Sequence, residues 1–386
     1  MTEVPDETTS ASSQQAPLLS ICIPTCNRAS FLRVMLQALL PQAAQCGSDV
    51  DIVVLDNAST DDTPQVLEES RSLGPFRVHR QPTNVGPLRN IIDGPTQFAR
   101  GKFTWILGDH NLLRPGGLAH VLNRLRQQVD FQVFYVNFRV ALYPEQWPSE
   151  ATDGYDGPFT YLGNPELTED VVERWTDLIR PYSAACTQVY AHIVRTAVWC
   201  NYWAAREIGQ PYTSALTTYP HTTMLLHSVS DLPAGVLIQP TITIYNGAQS
   251  WGHPITRFKV CFSGLTDLLK QIEQRDVSAL RLRQLWLALF HPTAMNVVHD
   301  CYQTEGRMAT LRMMRTAPVS MRPVGAVFLK TLFPGLFPRA FALIAAIRCH
   351  LNNRSSWYVF NCRPARWLRD RWLTLIAFTA FSCHAV

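Results

Sequence analysis

Four short stretches of this sequence carry the side chains that could do chemistry, and each lies just beyond an apolar run. Pro24-Thr25-Cys26-Asn27-Arg28 follows residues 18–23, and Asp56-Asn57-Ala58-Ser59-Thr60-Asp61 follows 51–55. Asn84-Val85-Gly86-Pro87-Leu88-Arg89-Asn90 comes after 76–80, and Gly108-Asp109-His110-Asn111 after 103–107. A single such loop reads as the cap of the helix behind it, because Asp, Asn, Ser and Thr accept the free N–H groups of a first turn. Four in succession point to a shared ligand site instead. Carboxylates accept N–H groups or hold hard cations, and guanidinium groups suit phosphate.

For those loops to meet, the runs before them must be strands of one sheet. Residues 18–23 form an apolar run closed by Pro24, and 30–40 carry Phe31, Leu32, Met35, Leu36 and Leu39 at helical spacing. DIVVL at 51–55 is a second buried strand; Asp61-Asp62-Thr63-Pro64 then starts a helix, with Pro64 tolerated in the first turn. A shorter strand is expected at 76–80, a helix from the Asn84-Val85-Gly86 turn to about 99, a strand at 103–107, a helix at 118–126 and a strand at 131–136. This alternation predicts an α/β fold, a doubly wound and mostly parallel sheet, whose ligands bind at the carboxyl ends of the strands. Residues 141–163, rich in Pro, Gly and aromatics, predict a long surface excursion, and 235–245 read as another strand. The expected domain plan is a disordered tail over 1–17, one domain over 18–255 in halves 18–136 and 137–255, and a helical, basic region over 256–386.

Composition narrows the function classes. At 386 residues, 47% hydrophobic and 10% aromatic, the chain can bury a sizeable core. Its ten cysteines include no CxxC pair and no zinc-spaced Cys/His cluster, which predicts reduced thiols. The net charge of +4 hides an asymmetry: from Cys301 onward there are 12 Lys/Arg against 2 Asp/Glu, and before it 22 against 28. A basic tail on a mildly acidic body predicts an anionic membrane surface as partner. No basic recognition helix or aromatic-basic RNA signature is present, so no nucleic-acid partner is expected. Residues 1–17 lack the basic and apolar regions of a signal peptide, and no run reaches the roughly 18 apolar residues of a spanning helix. The expected location is therefore cytoplasmic, peripheral on the cytoplasmic face of a membrane.

IPTCNR at 23–28, VLDNASTDDT at 54–63, NVGPLRN at 84–90 and WILGDHN at 105–111 resemble, in order and spacing, the motifs of glycosyltransferase family 2. The last of these, with YPH at 219–221 and YNGAQSW at 245–251, is similar to the abequosyltransferase-like branch. The resemblance implies a GT-A fold and an inverting, nucleotide-sugar-dependent transfer, with a UDP- or dTDP-sugar favoured as donor. It implies that Thr25 and Asp56 hold the nucleobase, that Arg28 and Arg89 lie near ribose and phosphates, and that Asn84 shapes its loop. Pro24, Asn27, Asn57 and His110 complete the implied nucleotide-sugar site. Asp109-His110-Asn111 stands in the place of the family's Asp-x-Asp, implying a divalent cation, Mn²⁺ or Mg²⁺, on Asp109 and Asn111. Asn111 departs from that pattern: an amide oxygen ligates but brings no charge, and imidazole at 110 suits Mn²⁺ better than Mg²⁺.

Inverting transfer needs a base for the acceptor hydroxyl. The family places an Asp at a helix start about a hundred residues after the metal motif; here His221 stands there, behind Pro220, and an imidazole of ordinary pKa is a competent base. Asp170, Asp177 and Asp231 are rivals, and Trp251 and His253 are placed to close over the diphosphate. The expected acceptor is a glycan or lipid-linked saccharide. Alternatives are a polyprenyl-phosphate glycosyltransferase and a silent GT-A binding module. A dehydrogenase is disfavoured, since no GxGxxG follows the first strand.

Overall fold

The computed structural model describes residues 16–141, 159–180, 187–244 and 254–285, with scattered positions from 297 to 312. Residues 1–15, Trp251, His253 and the basic stretch beyond 312 lie outside the described residues. The chain divides into two compact units. Met1–Ile179, Ser183–Ile208 and Pro220–Ala248 make the first; Arg180–Tyr182, Gly209–Tyr219 and Gln249–Val386 make the second.

The first unit opens with β1 (Leu19–Thr25), α1 (Ala29–Cys46), β2 (Val50–Asp56), α2 (Thr63–Glu69), β3 (Arg77–Arg80) and α3 (Pro87–Asp93). β4 (Phe103–Ile106), β5 (Asn111–Leu113), α4 (Gly117–Gln127), β6 (Val133–Ala141), β7 (Phe159–Leu162), β8 (Val171–Val172), β9 (His192–Arg195) and α5 (Thr196–Trp203) follow. After α6 (Ala215–Thr218), which belongs to the second unit, it closes with α7 (Pro220–Ser228) and β10 (Ala234–Ile244). One sheet runs β3-β2-β1-β4-β9-β6-β10-β5, with β7 beside β6 and β8 beside β10. β3, β2, β1 and β4 are mutually parallel, as are β6 and β10. β9 runs antiparallel between β4 and β6, so among the described residues six of the ten strands point one way.

The core explains why the central strands read as unbroken apolar runs. Leu19, Ile21 and Ile23 alternate with Ser20 and Cys22, yet all five are fully buried, because both faces of β1 are covered. Ser20 tolerates this place because its hydroxyl donates to Asp51 and accepts from the N–H groups of Arg100 and Gly101.

The sheet must also curl. β5 pairs with β10, four strand positions from β4, which a flat sheet would put about 19 Å away. Only five residues lead from Ile106 to Asn111, a reach of at most about 18 Å. The β6–β10 register breaks between Leu237 and Ile242, where Pro240 has no N–H to give, and irregularities of this kind bend a strand.

The second unit contains α6, α8 (Pro254–Lys259), α9 (Thr266–Glu273) and α10 (Ala279–Leu285). The Ala215 N–H donates to Asp267 at 2.8 Å, and Phe258 stacks on Phe262 at 4.5 Å. A Cβ on Gly264 would lie 2.2 Å from the Thr218 hydroxyl oxygen, so only glycine fits there. No helix among the described residues is long and apolar enough to cross a membrane.

Candidate functional site

Register assembles the site. Thr25 lies beside Asp56 and Asp56 beside Arg80, so one row crosses the carboxyl ends of β1, β2 and β3. β4 ends earlier, at Ile106 opposite Cys22. A tight turn follows, in which the Asn111 N–H donates to Gly108 O at 3.0 Å and the Gly108 N–H to Asn111 Oδ1 at 2.7 Å. The turn brings Asp109 to β1, where Thr25 Oγ1 donates to Asp109 Oδ2 at 2.9 Å. Arg28 Nε lies 2.9 Å from Asp109 Oδ1, and His110 Nδ1 lies 3.1 Å from the same oxygen. Residues 84 apart in sequence thus share one buried carboxylate.

The two loops beside Asp109 brace each other. Asn27 has φ 54°, a left-handed conformation that Asn accepts because its side chain bonds locally. Its Oδ1 takes the Thr60 N–H at 2.6 Å, and its own N–H goes to Ser59 Oγ at 2.9 Å. Ala58 has φ 58° without such a side chain, a strain of about 1–2 kcal/mol. Asp56 compensates: its main-chain oxygen takes the Ala58 N–H at 2.9 Å, and its Oδ1 takes the Ser59 N–H at 2.9 Å. Asn57 donates to Asn84 Oδ1 at 2.9 Å and accepts the Val85 N–H at 2.8 Å, which clasps the β3–α3 loop to the β2–α2 loop. Pro24 lies within β1, paired with Leu55.

The local potential is negative. Burial raises the pKa of the Cys26 thiol, and the carboxylates of Asp56, Asp61 and Asp109 raise it further, so Cys26 is no thiolate nucleophile. For Asp61, burial pushes the carboxyl up, but hydrogen bonds from Thr63 and the Ala29 N–H outweigh it and hold the carboxyl below its usual range.

Other expected site residues stand apart from this cluster in their contacts. Arg89 Nε pairs with Asp93 Oδ1 at 2.7 Å, one turn along α3. Asp170 pairs with Arg124, Asp177 with Arg174, and Asp231 accepts from Ser230. His221 begins α7 and is buried, with Nε2 lacking a hydrogen-bond partner. Its ring lies 6.0 Å from that of His192, which in turn lies 5.8 Å from both Tyr135 and Trp175. An ordinary imidazole was expected at 221; burial, and then His192, push its pKa well below the usual histidine value. Burial likewise pushes His192 down to about 3. His192 is level with the end of β4, since its neighbour Ile193 pairs with Trp105.

Two participants escaped the sequence reading. Arg80 Nη1 donates to Asp56 Oδ2 at 2.9 Å and Nη2 to Ser59 O at 2.6 Å. Its signal was available, a charge on the last residue of a strand. His192 had none, being a lone His in a four-residue strand.

Among the described residues no group of three or more His, Cys, Asp and Glu side chains is placed to hold a metal ion. Asp109 offers a carboxylate, and Asn111 Oδ1 has one lone pair left beside its bond to Gly108. That set fits a cation of the Mg²⁺ type, which commonly takes one or two protein oxygens and the rest from substrate phosphates.

The sequence model of glycosyl transferase family 2 matches residues 20–193. Abequosyltransferase RfbV of Salmonella typhimurium is 34% identical over 115 residues, 29% of this chain and 34% of that protein. The chain thus spans about a third of the length of this relative. Among solved structures, S. aureus TarS 1–349 in complex with UDP-GlcNAc is similar with a TM-score of 0.48 at 15% identity, over 81% of this chain and 86% of that one. Mannosyltransferase PcManGT from Pyrobaculum calidifontis, in complex with GDP-Man and Mn²⁺, gives a TM-score of 0.43 at 15% identity over 88% and 89%. Residues 20–193 are a glycosyl transferase family 2 domain.

Proposed function

We propose that this chain transfers a sugar from a nucleotide sugar, a UDP- or dTDP-sugar by preference, to a glycan or lipid-linked saccharide, with inversion at the anomeric carbon. The carrying observation is Asp109, held by Thr25, Arg28 and His110 where β1 and β4 end, in a row that continues to Asp56. The diphosphate lies at Asp109 and Arg28, with Asn84 on the loop beyond and Arg89 in the first turn of α3, and the nucleoside extends over Thr25 toward Asp56. A divalent cation, Mn²⁺ or Mg²⁺, held by Asp109 and Asn111 would neutralise the charge that develops on the leaving diphosphate. The acceptor oxygen forms the new bond to the anomeric carbon as the bond to the diphosphate breaks, and His221 Nε2 takes the hydroxyl proton. Burial keeps that imidazole neutral and also lowers its basicity, so it takes the proton only as the acceptor oxygen bonds to the anomeric carbon. The basic stretch after Cys301 holds the protein on the cytoplasmic face of a membrane, where a lipid-linked acceptor is presented.

Asp109→Ala and Asp56→Ala are each expected to abolish transfer in a panel of nucleotide sugars assayed by nucleotide release, with and without Mn²⁺. Thermal melts establish that the variants are folded. Wild-type turnover in both folded variants would sink the reading.

A further inference from the structure

Asp56 is the residue expected to meet the nucleobase, yet its side chain is 1% exposed and each carboxylate oxygen already accepts a hydrogen bond. Above it sits Arg80, whose side chain is 48% exposed. What a ligand meets first at the ends of β2 and β3 is therefore a guanidinium edge. Arg80 spends one N–H on Asp56 Oδ2 and one on Ser59 O, and a guanidinium has five to give.

We infer that Arg80 is a specificity residue for the nucleobase, donating its remaining N–H groups to a ring carbonyl. The inference rests on the nucleotide-sugar reading above and names the base class that site selects: carbonyl-bearing bases over adenine.

Three observations carry it. The first is place: in the order β3-β2-β1-β4, Arg80 lies about 14 Å in strand spacings from the strand that leads to Asp109. That is the far end of a nucleotide whose phosphates lie at Asp109. The second is charge. Asp56, 2.9 Å away, neutralises Arg80, so the arginine has lost most of its pull on a phosphate but keeps its directional donors for a neutral oxygen. The third is rigidity. The bond to Ser59 O, whose own hydroxyl holds the Asn27 N–H, locks the guanidinium to the β2–α2 loop, so its donors are fixed before a ligand arrives.

The test uses the full chain and UDP, dTDP, CDP, GDP and ADP as separate probes in titration calorimetry. Wild type is expected to bind ADP most weakly. Arg80→Met keeps length but removes the donors; it should weaken the preferred nucleotide about 10- to 100-fold, the worth of a charged hydrogen bond. ADP binding should stay within about two-fold, so the selectivity collapses. Arg80→Lys should not restore it, because an ammonium cannot keep both existing bonds and still present a planar edge. A wild-type chain that binds ADP as well as the others overturns the inference whether or not the variants fold. So does a folded Arg80→Met chain whose preference is unchanged. A wild-type chain that binds no nucleoside diphosphate at all overturns the nucleotide-sugar reading itself, and is a distinct result.

Discussion

Asp109 accepts the Thr25 hydroxyl, pairs with the Arg28 guanidinium and lies against the His110 imidazole. Removing Arg28 leaves a buried carboxylate without its cationic partner, a loss that commonly costs about 3–5 kcal/mol. Asn111 is different. Its bond to the Gly108 N–H shapes the turn, so Asn111→Asp keeps an acceptor for that N–H and adds a charge. If Asn111 and Asp109 share a cation, the variant should shift a Mn²⁺ titration, run with nucleoside diphosphate present, to about tenfold lower concentration, near 1.4 kcal/mol. An unchanged midpoint would mean that residue 111 shapes the turn and nothing more.

At the scale of elements, β9 and α7 bring together two histidines that stay neutral because they are buried. Their folded pKa values lie below the unfolded value near 6.5, so the unfolded chain binds more protons as the pH drops. The stability of the neutral pair is fully present above pH 6.5 and is lost as pH falls toward the folded value of about 3 for His192. Each histidine contributes a slope of at most about 1.4 kcal/mol per pH unit. Melting temperature should therefore fall between pH 6.5 and 5, and His192→Phe, which suits its aromatic neighbours, should flatten the slope; a parallel decline in wild type and variant would refute this. His221→Ala should lower turnover about 10²–10⁴-fold with donor binding nearly unchanged, whereas loss of both would make His221 structural. The same elements mark what the sequence could disclose. β1, β2 and β4 were legible because their apolar runs end in polar loops. β5 and β9, three and four residues long, were not, since short antiparallel insertions are fixed by pairing with distant strands and not by local periodicity. The residues at the strand ends were legible one by one. That Thr25 meets Asp109 while Arg89 turns away to Asp93 is a matter of topology, which spacing does not contain.

For the whole molecule the dominant fact is the uneven charge, with 12 of the 34 Lys/Arg and only 2 of the 30 Asp/Glu after residue 300. Arg339, Arg348, Arg354, Arg363, Arg366, Arg369 and Arg371 are interleaved with Phe337, Phe341, Trp357, Trp367 and Trp372. Cationic and aromatic residues mixed in this way favour the bilayer interface, where each Lys/Arg near an anionic surface contributes about 1 kcal/mol. Electrostatic attraction of this kind has a characteristic salt response. The Debye length falls from about 10 Å at 0.1 M to about 3 Å at 1 M, so a tail held by headgroup charge must let go as salt rises. Full-length protein is expected to co-sediment with phosphatidylserine-containing vesicles at low salt, to ignore neutral phosphatidylcholine vesicles, and to be released by about 1 M NaCl. Binding that survives high salt would point to apolar insertion as the main force. No binding at low salt would mean that the arginines face solvent and the aromatics pack within the protein, leaving the acceptor to be met in solution.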